Sequence, residues 1–143
     1  GAVALVVGSR AAGEKAGAKP MARIIATAAM GVRPDIMGIG PVAASKKALA
    51  RVGLTVKDMD IIEINEAFAA QVLACLKGLD VAFDDKRVNP NGGAIAVGHP
   101  LGASGARIAL TAARQLERIG GKYALVSLCI GGGQGMAVVI ERV

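Results

Sequence analysis

Three polar side chains stand at breaks in the sequence where a ligand could approach the backbone. His99 lies between Gly98 and Pro100, Cys129 stands just before three consecutive glycines, and Asn65 follows a short apolar run. An imidazole can take or give one proton near neutral pH, and a thiol can act as a base or a nucleophile. These residue types predict a site for proton transfer. Because all three lie at the ends of predicted strands, we expect them to converge on one side of the sheet.

His99 is the only histidine in the chain and precedes a predicted helix. A helix N-terminus disfavours a positive charge, which favours the neutral ring. The alternative is a loop histidine with no role. The neighbouring glycines favour a function, because they allow a ligand to come close to the backbone.

The two cysteines have different surroundings. Cys129 ends a predicted strand beside glycine N–H groups that could stabilise a thiolate or an oxyanion, although a small buried hydrophobe is the alternative. Cys75 falls on the apolar face of a predicted helix and is expected in the core, where burial raises the pKa of a thiol. We therefore expect Cys129 to be alkylated before Cys75. For Asn65 the alternative to a role in the site is that it is a helix N-cap with no other function.

Pattern and composition exclude several functions. The turn at residues 131–135 leads into a strand with no Lys-Ser/Thr after it, which excludes a P-loop and a dinucleotide fingerprint. One histidine and two distant cysteines cannot form a zinc site. Aromatic residues at 2% argue against a nucleic-acid partner bound by base stacking. No run reaches the ~18 apolar residues of a membrane span.

The chain of 143 residues fits one domain of ordinary size. Its net charge of +6 comes from scattered basic residues. The closest cluster, Lys46, Lys47 and Arg51, is expected to be the solvated face of a helix. Two cysteines on separate segments indicate a reduced, intracellular setting.

Hydrophobic patterning predicts an α/β layered domain with a mixed five-stranded sheet. Strands are predicted at residues 2–7, 22–29, 61–64, 123–129 and 136–142. Helices are predicted at residues 9–18 and 43–52, and a third follows Asn65. A fourth has Ile108 and Ile119 on its buried face, with Arg107 turned away from the core. The helix after Asn65 should bury one face, comprising Phe68, Val72, Cys75, Leu76 and Leu79.

Four segments together resemble the C-terminal motifs of the thiolase family. They are Met-Gly-Ile-Gly-Pro at 37–41, Asn-Glu-Ala-Phe at 65–68, the glycine-rich segment 91–107 around Gly-His-Pro, and Cys-Ile-Gly-Gly-Gly-Gln-Gly at 129–135. The resemblance runs along almost the whole chain. It implies a thiolase-like C-terminal half with helices on both faces of the sheet. Residues 1–18 would be the last strand and helix of the N-terminal half, or a connector, and residues 19–143 the C-terminal domain.

The resemblance implies that four residues serve in making or cleaving 3-ketoacyl-CoA through an acyl-cysteine. His99 would activate the nucleophile and help form one oxyanion hole, in which Asn65 would hold a water. Cys129 would be the general acid and base at the α-carbon. The backbone N–H of Gly131 would help bind the other thioester oxygen. Fixed N–H donors of this kind are worth roughly 3–4 kcal/mol each.

The resemblance also bears on substrate and assembly. Met37 and Phe68 match positions that line the acyl pocket. Acyl-CoA and CoA would be the partners, with no separate cofactor, no metal and a homo-oligomeric protein. The substrate stays open among acetoacetyl-CoA, fatty-acid β-oxidation intermediates and ketoadipyl-CoA. A bacterial protein would be cytoplasmic, and a eukaryotic one mitochondrial or peroxisomal.

The sequence departs from the family in one respect. The acyl-accepting cysteine belongs to a Cys-Ser-Gly-type motif in the N-terminal half, which neither Cys75 nor Cys129 matches. We therefore expect this chain alone to be inactive. The alternative is a non-catalytic CoA- or lipid-binding module, which the joint presence of Asn65, His99 and Cys129 disfavours. A ketoacyl synthase would need a second histidine at position 65.

Overall fold

The computed structural model describes residues 1–143. The elements follow one another as helix α1 (Arg10–Lys15), strand β1 (Ala22–Gly31), a 3-10 segment (Pro34–Ile39), α2 (Gly40–Ala50), a 3-10 turn (Val56–Asp58), β2 (Ile61–Ile64), α3 (Ala69–Gly78), α4 (Ala94–Val97), α5 (Ser104–Ile119), β3 (Tyr123–Ile130) and β4 (Gln134–Arg142). Of these helices none combines the length and apolarity needed to cross a bilayer.

The strands form one mixed sheet in the order β1-β4-β3-β2. β4 pairs antiparallel with both β1 and β3, whereas β2 runs parallel to β3. The parallel pairing sets Ile64 opposite Ser127. The carboxyl ends of β2 and β3 therefore meet at one edge of the sheet, as the mixed-sheet prediction requires.

Helices cover both faces of the sheet, which confirms the layered prediction. α2 and α3 pack on one face through a core that includes Ala44, Leu76 and Leu125. α5 packs on the other face through a core that includes Ile108, Leu116 and Val126. Alternation along β2 explains the division, because Ile62 and Ile64 face α3 while Ile61 faces α5.

The predicted strand at residues 2–7 is wrong, so the sheet has four strands rather than five. This apolar run pairs with no strand, and the side chain of Val6 is fully exposed. An apolar run of strand length has the composition of a buried strand, but only a neighbouring edge can supply its hydrogen bonds. At the edge of β2, Val88 makes an isolated parallel bridge to Ile62 instead.

Asn65 is not an N-cap, which corrects the alternative role considered for it. Its backbone N–H donates to the carbonyl of Ser127 at 2.9 Å, so the β2 ladder continues through it. A bend at Ala67 and the extended N-cap Phe68 separate Asn65 from α3, which begins at Ala69. This delay leaves the Asn65 side chain free for other contacts. It also leaves Phe68 about 60% exposed rather than on the buried face.

Glycines let the start of α2 lie directly on the β3–β4 hairpin. A Cβ atom on Gly135 would lie 2.0 Å from the carbonyl carbon of Gly40, and a Cβ on Gly40 would lie 2.4 Å from the oxygen of Gln134. Both values are far below any real contact of a Cβ atom. The hairpin turn that follows Cys129 is therefore held by backbone against backbone.

Candidate functional site

Asn65, His99 and Ser104 form a continuous hydrogen-bonded chain. The Asn65 Nδ2 lies 3.3 Å from His99 Nε2, and His99 Nδ1 lies 2.6 Å from Ser104 Oγ. Ser104 Oγ in turn donates to the carbonyl of Pro100 at 3.1 Å. Asn65 and Ser104 are buried, while His99 is half-buried. The end of β2 and the start of α5 thus hold the ring from opposite sides.

The direction of this chain assigns the protons on the imidazole. Because the Ser104 hydroxyl gives its proton to Pro100, its oxygen accepts the Nδ1–H of His99. The lone pair on Nε2 then accepts from the Asn65 amide. A neutral ring in this tautomer can take a proton at Nε2, after which Nε2–H becomes a donor. This is what a base that later stabilises an oxyanion requires.

Cys129 lies at the same edge of the sheet, as the sequence predicts. It stands two residues beyond Ser127, the residue whose carbonyl accepts from Asn65 N–H on the neighbouring parallel strand. The strand ends therefore bring the thiol, the amide and the imidazole to one edge. The expectation that all three follow strands is wrong for His99, which is carried by the loop between α4 and α5.

The environment of Cys129 differs from the predicted thiolate-stabilising one. The thiol is half-buried, and burial raises its pKa above the ordinary value, with hydrogen bonding to its own backbone N–H acting in the opposite direction. A thiol kept protonated is suited first to donate a proton and only then to accept one. The structure thus favours an acid over a standing thiolate.

Cys75 is a core residue, as predicted. It is fully buried, its Sγ donates to the Gly38 carbonyl at 3.3 Å, and the Gln71 side-chain amide donates to it at 3.4 Å. Burial, with a smaller contribution from Cys129, raises the pKa of Cys75 to about 11, although the hydrogen bond from Gln71 acts in the opposite direction. Cys75 packs in the same core as Leu125, and alternation along β3 sets Cys129 on the face of Leu125.

The remaining predicted site residues surround the ends of these strands. Gly131 is exposed with open space where a Cβ would stand, and the two glycines after it have left-handed φ values of 83° and 95°. Such values favour glycine. Met37 is half-buried in the 3-10 segment, and Phe68 is exposed.

Sequence reasoning assigned no role to Glu66, Asn89 or Ser104. Ser104 holds the ring of His99, and Glu66 and Asn89 connect the end of β2 to the segment that leads to His99. The available signal was the spacing of Ser104, five residues after the histidine at the start of a helix. Glu66 had no such signal, because its partners are 23 and 29 residues away.

A buried charge lies on β2 behind Asn65. Glu63 is fully buried, and neither carboxylate oxygen has a hydrogen-bond partner. Burial, opposed by the positive charge of Arg107 and assisted by the negative charge of Glu66, raises the pKa of Glu63 to about 7. The Nη2 atom of Arg107 is also buried and unpaired, so its predicted outward orientation is wrong.

Two further features do not belong to this site. A groove of about 510 Å³ between α3 and residues 83–95 is lined by Leu73, Leu76, Phe83 and Glu66 among others, but by none of Asn65, His99 and Cys129. No cluster of three or more His, Cys, Asp or Glu side chains is placed to hold a metal ion.

Comparison with known proteins identifies the family. The model of the thiolase C-terminal domain matches residues 18–142. Over its whole length the chain is 58% identical to a β-ketoadipyl-CoA thiolase from Pseudomonas aeruginosa, and it covers 36% of that protein. It is 54% identical over its whole length to a 3-oxoadipyl-CoA/3-oxo-5,6-dehydrosuberyl-CoA thiolase from Escherichia coli, and it again covers 36% of that protein.

A solved structure shares the fold as well as the sequence. Human mitochondrial 3-ketoacyl-CoA thiolase in complex with CoA superposes with a TM-score of 0.90 at 52% identity, over 94% of this chain and 34% of that one. The chain belongs to the thiolase family and is similar to its C-terminal domain. It spans about a third of the length of the relatives that it matches.

Proposed function

We propose that residues 1–143 supply the acid–base half of an acyl-CoA C-acyltransferase that makes or cleaves 3-ketoacyl-CoA. The observation that supports this most directly is the chain Asn65–His99–Ser104, which leaves Nε2 of a neutral imidazole as a proton acceptor. A binding module has no need of a base oriented in this way. The acyl-accepting cysteine would come from an N-terminal half outside these residues.

The thiolytic direction assigns each residue a step. His99 Nε2 takes the proton of the nucleophilic thiol, whose sulfur attacks the 3-keto carbon. The resulting Nε2–H, with a water held by the amide of Asn65, stabilises the oxyanion. As the bond between C2 and C3 breaks, its electrons pass to C2, and the thiol of Cys129 donates a proton there. The released acetyl-CoA leaves an acyl-cysteine, which CoA then cleaves.

The raised pKa of Cys129 fits this direction of proton transfer. A thiol that is protonated at neutral pH is ready to give its proton to the carbanion at C2. The N–H of Gly131 would bind the thioester oxygen on which the negative charge is delocalised. The exposed turn offers that N–H without obstruction by side chains.

The decisive experiment compares this chain with the complete polypeptide. We expect residues 1–143 alone to give no thiolysis of acetoacetyl-CoA and the polypeptide with its N-terminal half to cleave it. β-Ketoadipyl-CoA should be assayed beside it, because relatives carry that substrate in their names. Turnover by the isolated chain that Cys129→Ala abolishes would overturn this expectation and would mean that Cys129 or Cys75 serves as the nucleophile.

The alternative function is a CoA- or lipid-binding module without catalysis. It would be supported if the complete polypeptide bound CoA without cleaving either substrate. Oligomeric state and compartment extend the proposal: we expect a homo-oligomer by light scattering, and a cytoplasmic enzyme because the thiolases with 58% and 54% identity are bacterial.

A further inference from the structure

Glu66 joins two segments that are distant in sequence. One carboxylate oxygen, Oε1, accepts from Asn89 Nδ2 at 3.0 Å, and the other, Oε2, accepts from the backbone N–H of Ile95 at 2.9 Å. Glu66 stands directly after Asn65, and Ile95 lies in α4, the short helix that leads through Gly98 to His99. A single side chain thus connects the segment that carries the amide to the segment that carries the imidazole.

The geometry around the carboxylate leaves it one position. A Cβ atom on Gly93 would lie 2.3 Å from the carboxyl carbon of Glu66, so only glycine admits the side chain there. Asn89 is itself fixed, because its amide both accepts from Ile64 N–H and donates to the Ile64 carbonyl at 2.9 Å. Hydrogen bonds to an ionised carboxylate are stronger than neutral ones. The connection is therefore rigid at both ends.

Within residues 1–143, the bond from Ile95 to Glu66 is the one hydrogen bond that joins α4 to the end of β2, and Ala94 is the buried residue of that helix. Ile95, Ala96, Val97 and Gly98 are all exposed, and the left-handed φ of 93° at Gly98 makes the loop turn sharply just before the histidine. Ser104 restrains the Nδ1 side of the ring. The distance from Nε2 to the Asn65 amide depends on the position of α4 relative to the end of β2.

We propose that Glu66 is a positioning residue for His99. Its carboxylate fixes α4 against the end of β2 and so holds Nε2 within reach of the Asn65 amide. The proposal rests on the proposed acyltransferase function for its kinetic consequence, but its structural consequence is independent of that function.

A second carboxylate provides a matched control. Asp60 precedes β2, and its Oδ2 accepts the backbone N–H groups of Lys122 at 2.6 Å and Tyr123 at 2.9 Å. It therefore also holds two donors, at the opposite edge of the same strands. A loss of sheet stability should follow from changes at either carboxylate, whereas a change at His99 should follow only from Glu66.

The experiment uses the complete polypeptide and its variants Glu66→Ala, Glu66→Gln and Asp60→Ala. The imidazole ¹⁵N resonances of His99, assigned by comparison with His99→Gln, report the tautomer without any need for turnover. We expect the wild type and Asp60→Ala to show one Nδ1–H tautomer and Glu66→Ala to show averaged nitrogen shifts. In activity, kcat should fall about 10- to 100-fold in Glu66→Ala with little change in KM.

The ¹⁵N shifts and the kcat of Glu66→Gln should lie between those of the wild type and Glu66→Ala, because one amide oxygen can accept from one of the two donors but not from both. It also serves if Glu66→Ala fails to fold. Unchanged ¹⁵N shifts and kcat in both Glu66 variants would overturn the proposal, as would equal losses of kcat in Glu66→Ala and Asp60→Ala. Altered His99 shifts in a polypeptide that never cleaves a 3-ketoacyl-CoA would support the role of Glu66 and overturn the acyltransferase function alone.

Discussion

The two edges of the parallel pair β2–β3 satisfy their polar groups very differently. At the amino edge, Asp60 Oδ2 accepts two backbone N–H groups while Asp60 N–H donates to the Tyr123 carbonyl at 2.9 Å. At the carboxyl edge, Asn65 Oδ1 and Ser127 Oγ are buried without partners. Unpaired buried polar atoms cost stability, so each one requires an explanation, and a role in catalysis is one such explanation. The carboxyl edge is the one at which we propose that the chemistry takes place.

The sharpest way to break this comparison is to remove a group from each edge. His99→Ala in the complete polypeptide should lower kcat about 10²- to 10⁴-fold, the range for loss of a general acid or base. Its unfolding free energy should change little, because the ring is only half-buried. Steady-state kinetics and chemical denaturation measure the two quantities. A His99→Ala variant with a lower free energy of unfolding and an unchanged kcat would contradict the assignment of chemistry to this edge.

Glu63 allows a test by pH. Its folded pKa of about 7 lies above the ordinary 4.5, so the folded state binds the proton more tightly than the unfolded state. The stabilisation is complete below pH 4.5 and is lost as the pH rises to about 7, a difference of roughly 3 kcal/mol. Chemical denaturation across this window should show it.

Glu63→Gln provides the control for the same measurement. The substitution removes the titrating group, so its stability should depend less on pH in that window than the wild-type stability does. An identical pH dependence in both proteins would mean that another group is responsible.

Asp60→Ala should have the opposite signature to His99→Ala. Two backbone N–H groups lose their acceptor, which should lower the free energy of unfolding by about 1–3 kcal/mol. The kcat should stay within about threefold of wild type, since Asp60 is at the edge away from His99. A large loss of kcat without a loss of stability would contradict the division of labour between the edges.

The smallest effect compares the two thiols at one edge. Iodoacetamide should label Cys129 at least about tenfold faster than Cys75 near pH 8, because each pKa unit is a factor of ten in thiolate. The pKa of Cys75 is about 11 and the residue is fully buried. Peptide mass spectrometry follows both sites. Faster labelling of Cys75 would place it, rather than Cys129, at the accessible edge.

The sequence predicted the parts of the fold that follow from local pattern. β2 has the predicted bounds, and β3, β4 and α2 differ by a few residues at their ends. The strand at residues 2–7 failed because local composition cannot show whether an edge is present to pair with it. Asn65 was open to interpretation as an N-cap because the signal for a cap is the residue type, whereas its conformation is set by Ser127 on another strand.

The candidate site was predicted where a motif carried it and missed where only three-dimensional contacts did. His99 and Cys129 were marked by their glycine-rich surroundings, Asn65 by its place after a short strand, and all three by resemblance to a family. Glu66 was missed because its partners become neighbours only after folding. The raised pKa of Cys129 was not predicted, because burial depends on packing of the whole domain, whereas the neighbouring glycines suggested only N–H groups.

The contact of Gly40 with Gly135 determines which substitutions can tune the thiol. Gly135 pairs with Cys129 across the β3–β4 hairpin and packs against Gly40 at the start of α2. The position of the thiol therefore depends on how α2 packs on the hairpin. Exchanging the side chains that surround Cys129 can change its polarity and access but not its location. Moving it requires a displacement of a whole helix. A designer who wants a different acyl geometry would therefore have to redesign the start of α2, and residues facing the thiol would not suffice.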